Sequence, residues 1–227
     1  MKSNIFLYFI TWCMLSLFAM DCCAANLSVN EALYFAENQG EKLLMTFQEP
    51  DLVKRYKELD DIFVKHIDID YVSKFVVGKH WRRMSEEQKK RYQDSFLRYG
   101  LAFYKTLPLD YAKDVTYQIK GVDVDGAFVN VVTNVSVNLG GDNPQNITLV
   151  FRLHKVGGII KAVDVKIAES SLLLSYRGKF YEMIAQSDDE IDWFLDDLDD
   201  LVKTLEYGLK QNVATQQKYL EFDDKTI

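Results

Sequence analysis

The chain has 227 residues, of which 48% are hydrophobic and 27% are charged, and its formal net charge is −7. This acidic balance argues against nucleic-acid binding, because phosphate contacts need clustered lysine and arginine. An acidic chain also gains nothing from an anionic membrane surface.

The first 25 residues have the pattern of a signal peptide. Lys2 supplies a positive start, residues 5–20 are apolar, and small residues precede a predicted cleavage site after Ala25. An uncleaved membrane anchor is the alternative, although the run is shorter than the roughly 20 residues of a comfortable span. All three cysteines lie in this segment, so the cleaved chain would form no disulfide and no cysteine-bound metal site.

The remainder of the chain shows no sign of division into separate domains. We find no internal repeat, low-complexity linker or shift in composition, and the whole sequence contains only three prolines. We therefore predict one domain over residues 26–210, followed by a polar and flexible tail over residues 211–227.

The first part of this domain is predicted to be helical. Apolar residues recur at helical spacing in residues 28–47 and 51–67, and Pro50 separates the two segments. A short helix over residues 70–77 is expected to end at Gly78, because glycine favours the left-handed conformation that closes many helices.

The next helix carries an unusual number of aromatic residues. Ser85 and Gln88 have the spacing of a capping box, and Pro108 is expected to end the helix. Gly100 lies inside it at a cost of about 1 kcal/mol relative to alanine, which suggests a bend or the close approach of a bulky group. The predicted apolar stripe contains Tyr92, Phe96, Tyr99, Phe103 and Leu107.

From Tyr111 onward the apolar period changes from 3.6 to 2, which is typical of half-buried strands. The pattern predicts an antiparallel meander of four or so strands with one apolar face. The predicted strands lie around residues 115–119, 129–139, 147–153 and 163–167, and the turns at residues 121–126, 140–144 and 157–158.

Two helices close the domain. One covers residues 172–185, and the other begins near Ser187 or Asp188 with a buried stripe from Ile191 to Leu205. Eight acidic side chains crowd residues 188–200, and we expect most of them to face solvent.

These elements predict an α+β fold, in which helices cover one face of a curved antiparallel sheet. The aromatic helix after Ser85 is the expected cover. Such a layout encloses either an ordinary core or a cone-shaped apolar cavity, and the residue pattern does not separate the two.

Two blocks of sequence have a distinctive order and spacing. The first block comprises Phe75-Val76-Val77-Gly78, Trp81, Ser85-Glu86-Glu87-Gln88, Tyr92 and Phe96. The second comprises Val163-Asp164-Val165-Lys166-Ile167, Ser171-Leu172-Leu173, Tyr176-Arg177 and Phe180, followed by Ile191, Leu195 and Leu198. Together they resemble the MlaC (toluene-tolerance) family of periplasmic phospholipid carriers, and the resemblance runs from about residue 30 to residue 205. Two departures are Glu169, where the family usually has glycine, and the heavy acidic patch at residues 188–200.

The resemblance implies an NTF2-like cone with a helical subdomain around an apolar lipid cavity. It implies a periplasmic shuttle, here predicted to be monomeric, that moves phospholipid between an outer-membrane lipoprotein–porin complex and an inner-membrane MCE-domain and ABC-transporter complex. Such a shuttle would maintain the lipid asymmetry of the outer membrane. The alternatives are a carrier of another amphiphile, such as a hopanoid or hydrophobic solute, and a periplasmic assembly or chaperone-like protein with a filled core.

The resemblance also implies an apolar lipid-binding site. Arg82, Arg83 and Arg177 are candidate docking residues; the alternatives are a solvated helix start for the first two and a hydrogen bond between elements for Arg177. The predicted lipid-binding residues are Phe75, Val76, Tyr92, Phe96, Tyr99, Phe103, Val131, Val135, Leu149, Phe151, Val163, Val165, Ile167, Leu173 and Tyr176. Packing in an ordinary core is the alternative for each of them.

Residues that would carry catalysis are not evident. His66, His80 and His154 have no metal-ligand spacing, and no nucleophile elbow, P-loop or dinucleotide motif occurs. We therefore predict that the protein is not an enzyme and that it uses no metal or cofactor, with phospholipid bound only as cargo.

Overall fold

The computed structural model describes residues 26–106, 115–137 and 145–223. The predicted signal peptide, the expected helix end at Pro108 and the turn at residues 140–144 lie outside these ranges. The helices are α1 (Val29–Phe47), α2 (Leu52–His66), α3 (Ile69–Val77), a 3₁₀ helix (Gly78–Arg83), α4 (Glu86–Lys105), α5 (Leu172–Gln186) and α6 (Ile191–Asp223). The strands are β1 (Thr116–Asp125), β2 (Phe128–Val137), β3 (Gln145–Val156), β4 (Ile159–Ile167) and β5 (Ser170–Ser171).

Local sequence signals set the helix boundaries as predicted. The Ser85 hydroxyl accepts the Gln88 backbone N–H at 3.1 Å, and the Gln88 side chain accepts the Ser85 backbone N–H at 2.9 Å. This reciprocal pair satisfies two N–H groups that a helix start leaves unpaired. Gly78 ends α3 with a φ of 49°, a conformation that costs glycine little.

The sheet is an antiparallel meander in the order β1-β2-β3-β4-β5. It differs from the prediction at two places. β1 continues through Gly121 to Asp125, because an irregularity between Ile119 and Gly121 keeps the strand paired with β2. A short fifth strand, β5, adds to the edge of β4.

The prediction that the aromatic helix covers the sheet is wrong. α1 contacts β1 and β2, and α2 contacts β4. The resulting sheet core contains Leu27, Ala32, Val129, Val131, Leu153 and Ala162. The apolar stripe of α4 is instead buried against other helices, so the described residues form two cores.

This second core belongs to the helical layer. Phe180 of α5 lies at its centre, with ring centroids 5.6 Å from Phe96 and 6.0 Å from Phe194. The buried residues of this helical core are Val76, Val77, Met84, Tyr92, Phe96, Tyr99, Leu173, Phe180, Ile184, Ile191, Phe194, Leu195, Leu198 and Val202.

The connection between α2 and α3 joins the two cores. Ile67 forms a parallel bridge with Ala162 of β4, and the Asp68 backbone N–H donates to the Ala162 carbonyl at 3.0 Å. The Asp68 carboxylate accepts the Tyr71 N–H and lies 2.8 Å from Nε2 of His154. One buried carboxylate therefore holds the start of α3 against the sheet.

The last helix is longer than predicted. We expected a tail from Gln211, but α6 continues to Asp223. Gln216 donates to the Pro50 carbonyl at 2.9 Å and accepts the Leu52 N–H at 3.0 Å. The side-chain amide of Gln216 therefore caps the start of α2. The polar composition of residues 211–227 did not predict this long-range contact.

Candidate functional site

The apolar face of the sheet is covered at one end and partly open at the other. Val131 and Leu153, at the covered end, are 0% and 1% exposed. Farther along the same strands Val135 and Leu149 are half-buried, and Ile167 at the end of β4 is 43% exposed. A core that packs fully would bury these residues, so the open end is a candidate binding surface for an apolar ligand.

Strand pairing makes this surface continuous. Val131, Phe151 and Val165 are direct partners across β2, β3 and β4, and Leu149 pairs with Ile167. Paired residues in antiparallel strands point to the same face of the sheet. We call Val135, Leu149, Phe151, Val165 and Ile167 the sheet floor.

Val163, a predicted lipid-binding residue on β4, is not part of the open surface. Val163 falls where the pairing of β3 and β4 shifts register, and it is only 2% exposed. It therefore contributes to the buried core near this irregularity, whereas Val165 belongs to the sheet floor.

The structure assigns several predicted helix residues to the helical core. Val76, Tyr92, Phe96 and Leu173 are buried there, while Phe75 packs on its margin. The hydroxyl of Tyr92 donates to the Ser73 carbonyl at 2.9 Å, and burial raises its pKa well above the ordinary value for tyrosine. These side chains already have protein neighbours and do not share the open sheet floor.

Three other predicted residues form an aromatic cluster where α4 meets α5, which we call the aromatic triad. The ring of Tyr176 lies edge-on to Tyr99 and Phe103 at centroid distances of 5.9 and 5.7 Å, and Tyr99 stacks on Phe103 at 5.9 Å. Tyr99 is buried, whereas Phe103 and Tyr176 are partly exposed. Edge-to-face ring contacts of this kind fix the side chains relative to one another.

Asp164 joins the start of α5 to the sheet. Its carboxylate accepts the backbone N–H of Leu173 at 3.0 Å and the hydroxyl of Ser171 at 2.7 Å. Because both donors stand at the start of α5, this helix begins beside β4, and Tyr176 follows in the next turn. Helix α5, which carries Tyr176, therefore starts beside β4, the strand that carries Val165 and Ile167 of the sheet floor.

The sequence did not predict that α2 packs against α4, the helix that carries Tyr99 and Phe103. The ring of Phe63 lies against Gly100, where an added Cβ would stand 2.9 Å from the Phe63 Cζ. Phe63 also stacks on Tyr104 with the ring centroids 5.2 Å apart. The expectation that Gly100 admits a bulky neighbour is confirmed, and this glycine was the available signal for the contact.

Helix α1 packs against β1, the strand at the opposite edge of the sheet from β4 and β5. The hydroxyl of Tyr117 donates to the backbone carbonyls of Ala36 and Glu37 at 3.1 and 2.6 Å. Tyr117 pairs with Val135 on the neighbouring strand, so α1 passes beside the sheet floor.

Two of the three predicted docking arginines are engaged within the chain. Arg83 donates to the Asp189 carbonyl at 2.8 Å, and Arg177 lies 5.0 Å from the ring centroid of Phe75 while it donates to Tyr181. Arg82 is exposed and has no polar partner among the described residues. Arg82 is therefore the more accessible of the three for docking.

The acidic segment of α6 is more strongly paired than the sequence suggested. Arg91 of α4 donates to both Asp196 and Asp199 at 2.6 Å, and Arg98 forms an ion pair with Glu206 at 2.8 Å. Burial acts to raise the pKa of Asp199, but hydrogen bonds from Ser95 and Arg91 outweigh it and lower the pKa. The hydrogen bond from Arg98 lowers the pKa of Glu206.

These shifts predict a loss of stability in acid. A carboxylate whose pKa is lowered in the folded state stabilises the fold above its unfolded pKa, and this contribution disappears as the pH falls through the folded value. For Glu206 and Asp199 the loss begins near their ordinary values of 4.5 and 3.8. Urea unfolding at pH 7 and pH 3 should show that Glu206→Gln removes part of this dependence, about 0.5 kcal/mol after solvent screening. An unchanged pH dependence in Glu206→Gln would show that the pair with Arg98 contributes nothing.

Neither a metal centre nor a membrane span is found in the described part of the chain. Residues 26–106, 115–137 and 145–223 contain no group of three or more histidine, cysteine, aspartate or glutamate side chains that could hold a metal ion. No helix within these ranges is both long enough and apolar enough to cross a membrane.

The fold and the site together define a class of α+β proteins in which an antiparallel sheet presents a partly open apolar face beside an aromatic helical layer. The family model described as MlaC protein matches residues 40–205, and the chain therefore belongs to the MlaC family. This match confirms the resemblance found in the sequence.

Known proteins also resemble the chain. The toluene tolerance protein ttg2D of Pseudomonas putida is 25% identical over 144 residues, which are 62% of this chain and 64% of that protein. The alignment thus spans slightly less than two thirds of the relative. The second is the solved structure of a phospholipid-binding protein from Ralstonia solanacearum in complex with a phospholipid. It has 21% identity and a TM-score of 0.62, and the match covers 75% of this chain and 96% of that one. At this identity the likeness establishes the shared fold.

Proposed function

We propose that this protein is a periplasmic phospholipid carrier whose acyl-chain site is the sheet floor together with the aromatic triad. The observation that carries the proposal is the open end of the sheet face, where Val135 and Leu149 are half-buried and Ile167 is exposed. Membership of the MlaC family and the phospholipid found in the Ralstonia structure support this assignment.

The physical demand on such a carrier matches the composition of the site. A diacyl phospholipid has about 28 methylene groups, each costing about 0.8 kcal/mol to expose to water, or roughly 22 kcal/mol in total. A carrier must therefore enclose the acyl chains in apolar side chains and leave no polar group there without a partner. The charged head group remains favourable in water and needs no enclosure.

The proposal extends to the pathway and the location. The signal peptide directs export of the precursor and is cleaved after Ala25. The domain that starts at residue 26 then carries phospholipid through the periplasm as a monomer, and it catalyses no reaction. It receives and delivers lipid at an outer-membrane lipoprotein–porin complex and an inner-membrane complex of an MCE-domain protein with an ABC transporter. Arg82 is the first candidate for a docking contact, because it is exposed.

Native mass spectrometry of the exported protein purified from cells, followed by lipid extraction, tests this function. We expect a mass shift equal to one phospholipid with its acyl chains, and the extracted lipid identifies the cargo. A hopanoid or another amphiphile would support a carrier of different specificity. A bare protein mass under gentle conditions would contradict the carrier function and support an assembly protein with a filled core.

A further inference from the structure

Lys179 is an exposed cation placed against the aromatic triad. Its Nζ donates to the hydroxyl oxygen of Tyr99 at 3.0 Å and lies 5.1 Å from the centroid of the Tyr99 ring. Tyr99 itself is 2% exposed and is fixed by its contacts with Phe103 and Tyr176. The ammonium group is therefore held at the edge of a rigid aromatic surface by its hydrogen bond to the Tyr99 hydroxyl.

Among the residues that the structure describes, Lys179 lacks the counter-ion that Lys105 has. Lys105 also lies against a ring of α4, at 5.9 Å from the centroid of Tyr104, but it is paired with Asp60. For Lys179 no carboxylate stands within ion-pair distance among the described residues. An ammonium group has three N–H donors, and the hydrogen bond to Tyr99 uses one of them.

Tyr176, three residues before Lys179 on α5, also contacts Tyr99. Its ring contacts Tyr99 edge-on, and its hydroxyl has no hydrogen-bond partner in the described part of the chain. Burial raises the pKa of Tyr176, so the phenol stays protonated and can donate. Lys179 and Tyr176 thus both contact Tyr99, and a cation together with a neutral O–H donor suits an anionic oxygen.

We propose that Lys179 and the Tyr176 hydroxyl bind the phosphodiester of a lipid whose acyl chains occupy the sheet floor. This inference rests on the proposed function and adds a residue-level basis for recognising the phosphate. Lysine suits the role because its ammonium is a compact point charge that accepts varied phosphate orientations. Head groups attached to that phosphate would remain in solvent, so the site selects for the phosphate and not for the alcohol.

A competition between two lipids with identical acyl chains tests the proposal. Delipidated protein is offered equal amounts of dioleoyl phosphatidylglycerol and dioleoylglycerol in mixed micelles, and the bound species are counted by native mass spectrometry. We expect Lys179→Gln to reduce the preference for the phospholipid about fivefold, the effect of one solvent-exposed charged contact. Lys179→Arg should retain most of the preference, and Tyr176→Phe should lower it about twofold.

Lys90→Gln is the matched control, because Lys90 is an exposed helical lysine outside the triad. Its lipid preference should equal that of the wild type, and thermal unfolding should show that Lys179→Gln is folded. A high salt concentration should weaken the wild-type preference, since an exposed charge contact is screened.

The outcomes separate this proposal from the carrier function. If Lys179→Gln binds lipid with the wild-type preference, the phosphate contact is wrong while the carrier function stands. If the wild type takes up neither lipid, the carrier function itself is wrong. Inorganic phosphate that binds through Lys179 and leaves the lipid preference unchanged would identify a free-anion site and overturn the lipid assignment.

Discussion

Val135→Glu is expected to abolish retention of a diacyl lipid while the protein remains folded. Val135 lies on β2 between its strand partners Tyr117 and Ile147, and its side chain is half-buried on the open end of the apolar sheet face. A carboxylate there can reach water while the site is empty, but acyl chains would cover it. Burying an unpaired charge costs several kcal/mol, which is enough to lower lipid occupancy by more than tenfold.

The neighbouring position supplies the control. Ser136 follows Val135 on the same strand and points to the opposite face of the sheet, so Ser136→Glu adds the same charge without touching the proposed site. Native mass spectrometry should find lipid in Ser136→Glu and none in Val135→Glu, with similar urea midpoints for both proteins. Phe103→Asp tests the aromatic triad in the same way. Lipid retained by both Val135→Glu and Phe103→Asp would show that the acyl chains lie elsewhere.

Local signals were sufficient to predict most elements of the fold. The capping box at Ser85, the helix end at Gly78 and the alternating pattern of β2 and β3 depend on interactions within a few residues of the chain. The arrangement of the layers depends on contacts between distant residues. The stripe of α4 and the stripe of α1 are both apolar, and periodicity shows which side of a helix is buried without showing what buries it.

The same limit applies to the candidate site. Val135 and Tyr92 are both apolar residues in regular elements, so the sequence assigned both to the lipid wall. The structure separates them, because Tyr92 is enclosed by other helical side chains and Val135 is only half-buried. Lys179 was missed for a related reason. An isolated lysine on a helix has no distinctive spacing, and its position against Tyr99 depends on how α5 packs on α4.

Phe180→Ala is expected to cause the largest loss of stability of any substitution considered. Phe180 is fully buried, and its ring contacts those of Tyr92, Phe96, Tyr99 and Phe194. Removing a phenyl ring from such a position costs about 3–5 kcal/mol, because the apolar transfer energy is lost and the surrounding rings collapse only in part. This is a large fraction of the roughly 5–15 kcal/mol by which folded proteins are stable.

Urea unfolding of delipidated protein is the appropriate measurement, since a ligand that binds only the folded state would add to its apparent stability. Leu174→Ala is the matched control within α5, because Leu174 is 60% exposed and its truncation should change the free energy of unfolding by less than about 0.5 kcal/mol. Phe180→Leu should fall between the two, since leucine fills part of the space. A loss below about 1 kcal/mol for Phe180→Ala would mean that these rings do not form a tightly packed core. The helical core would then be a candidate part of the lipid site, as the sequence first suggested for Tyr92 and Phe96.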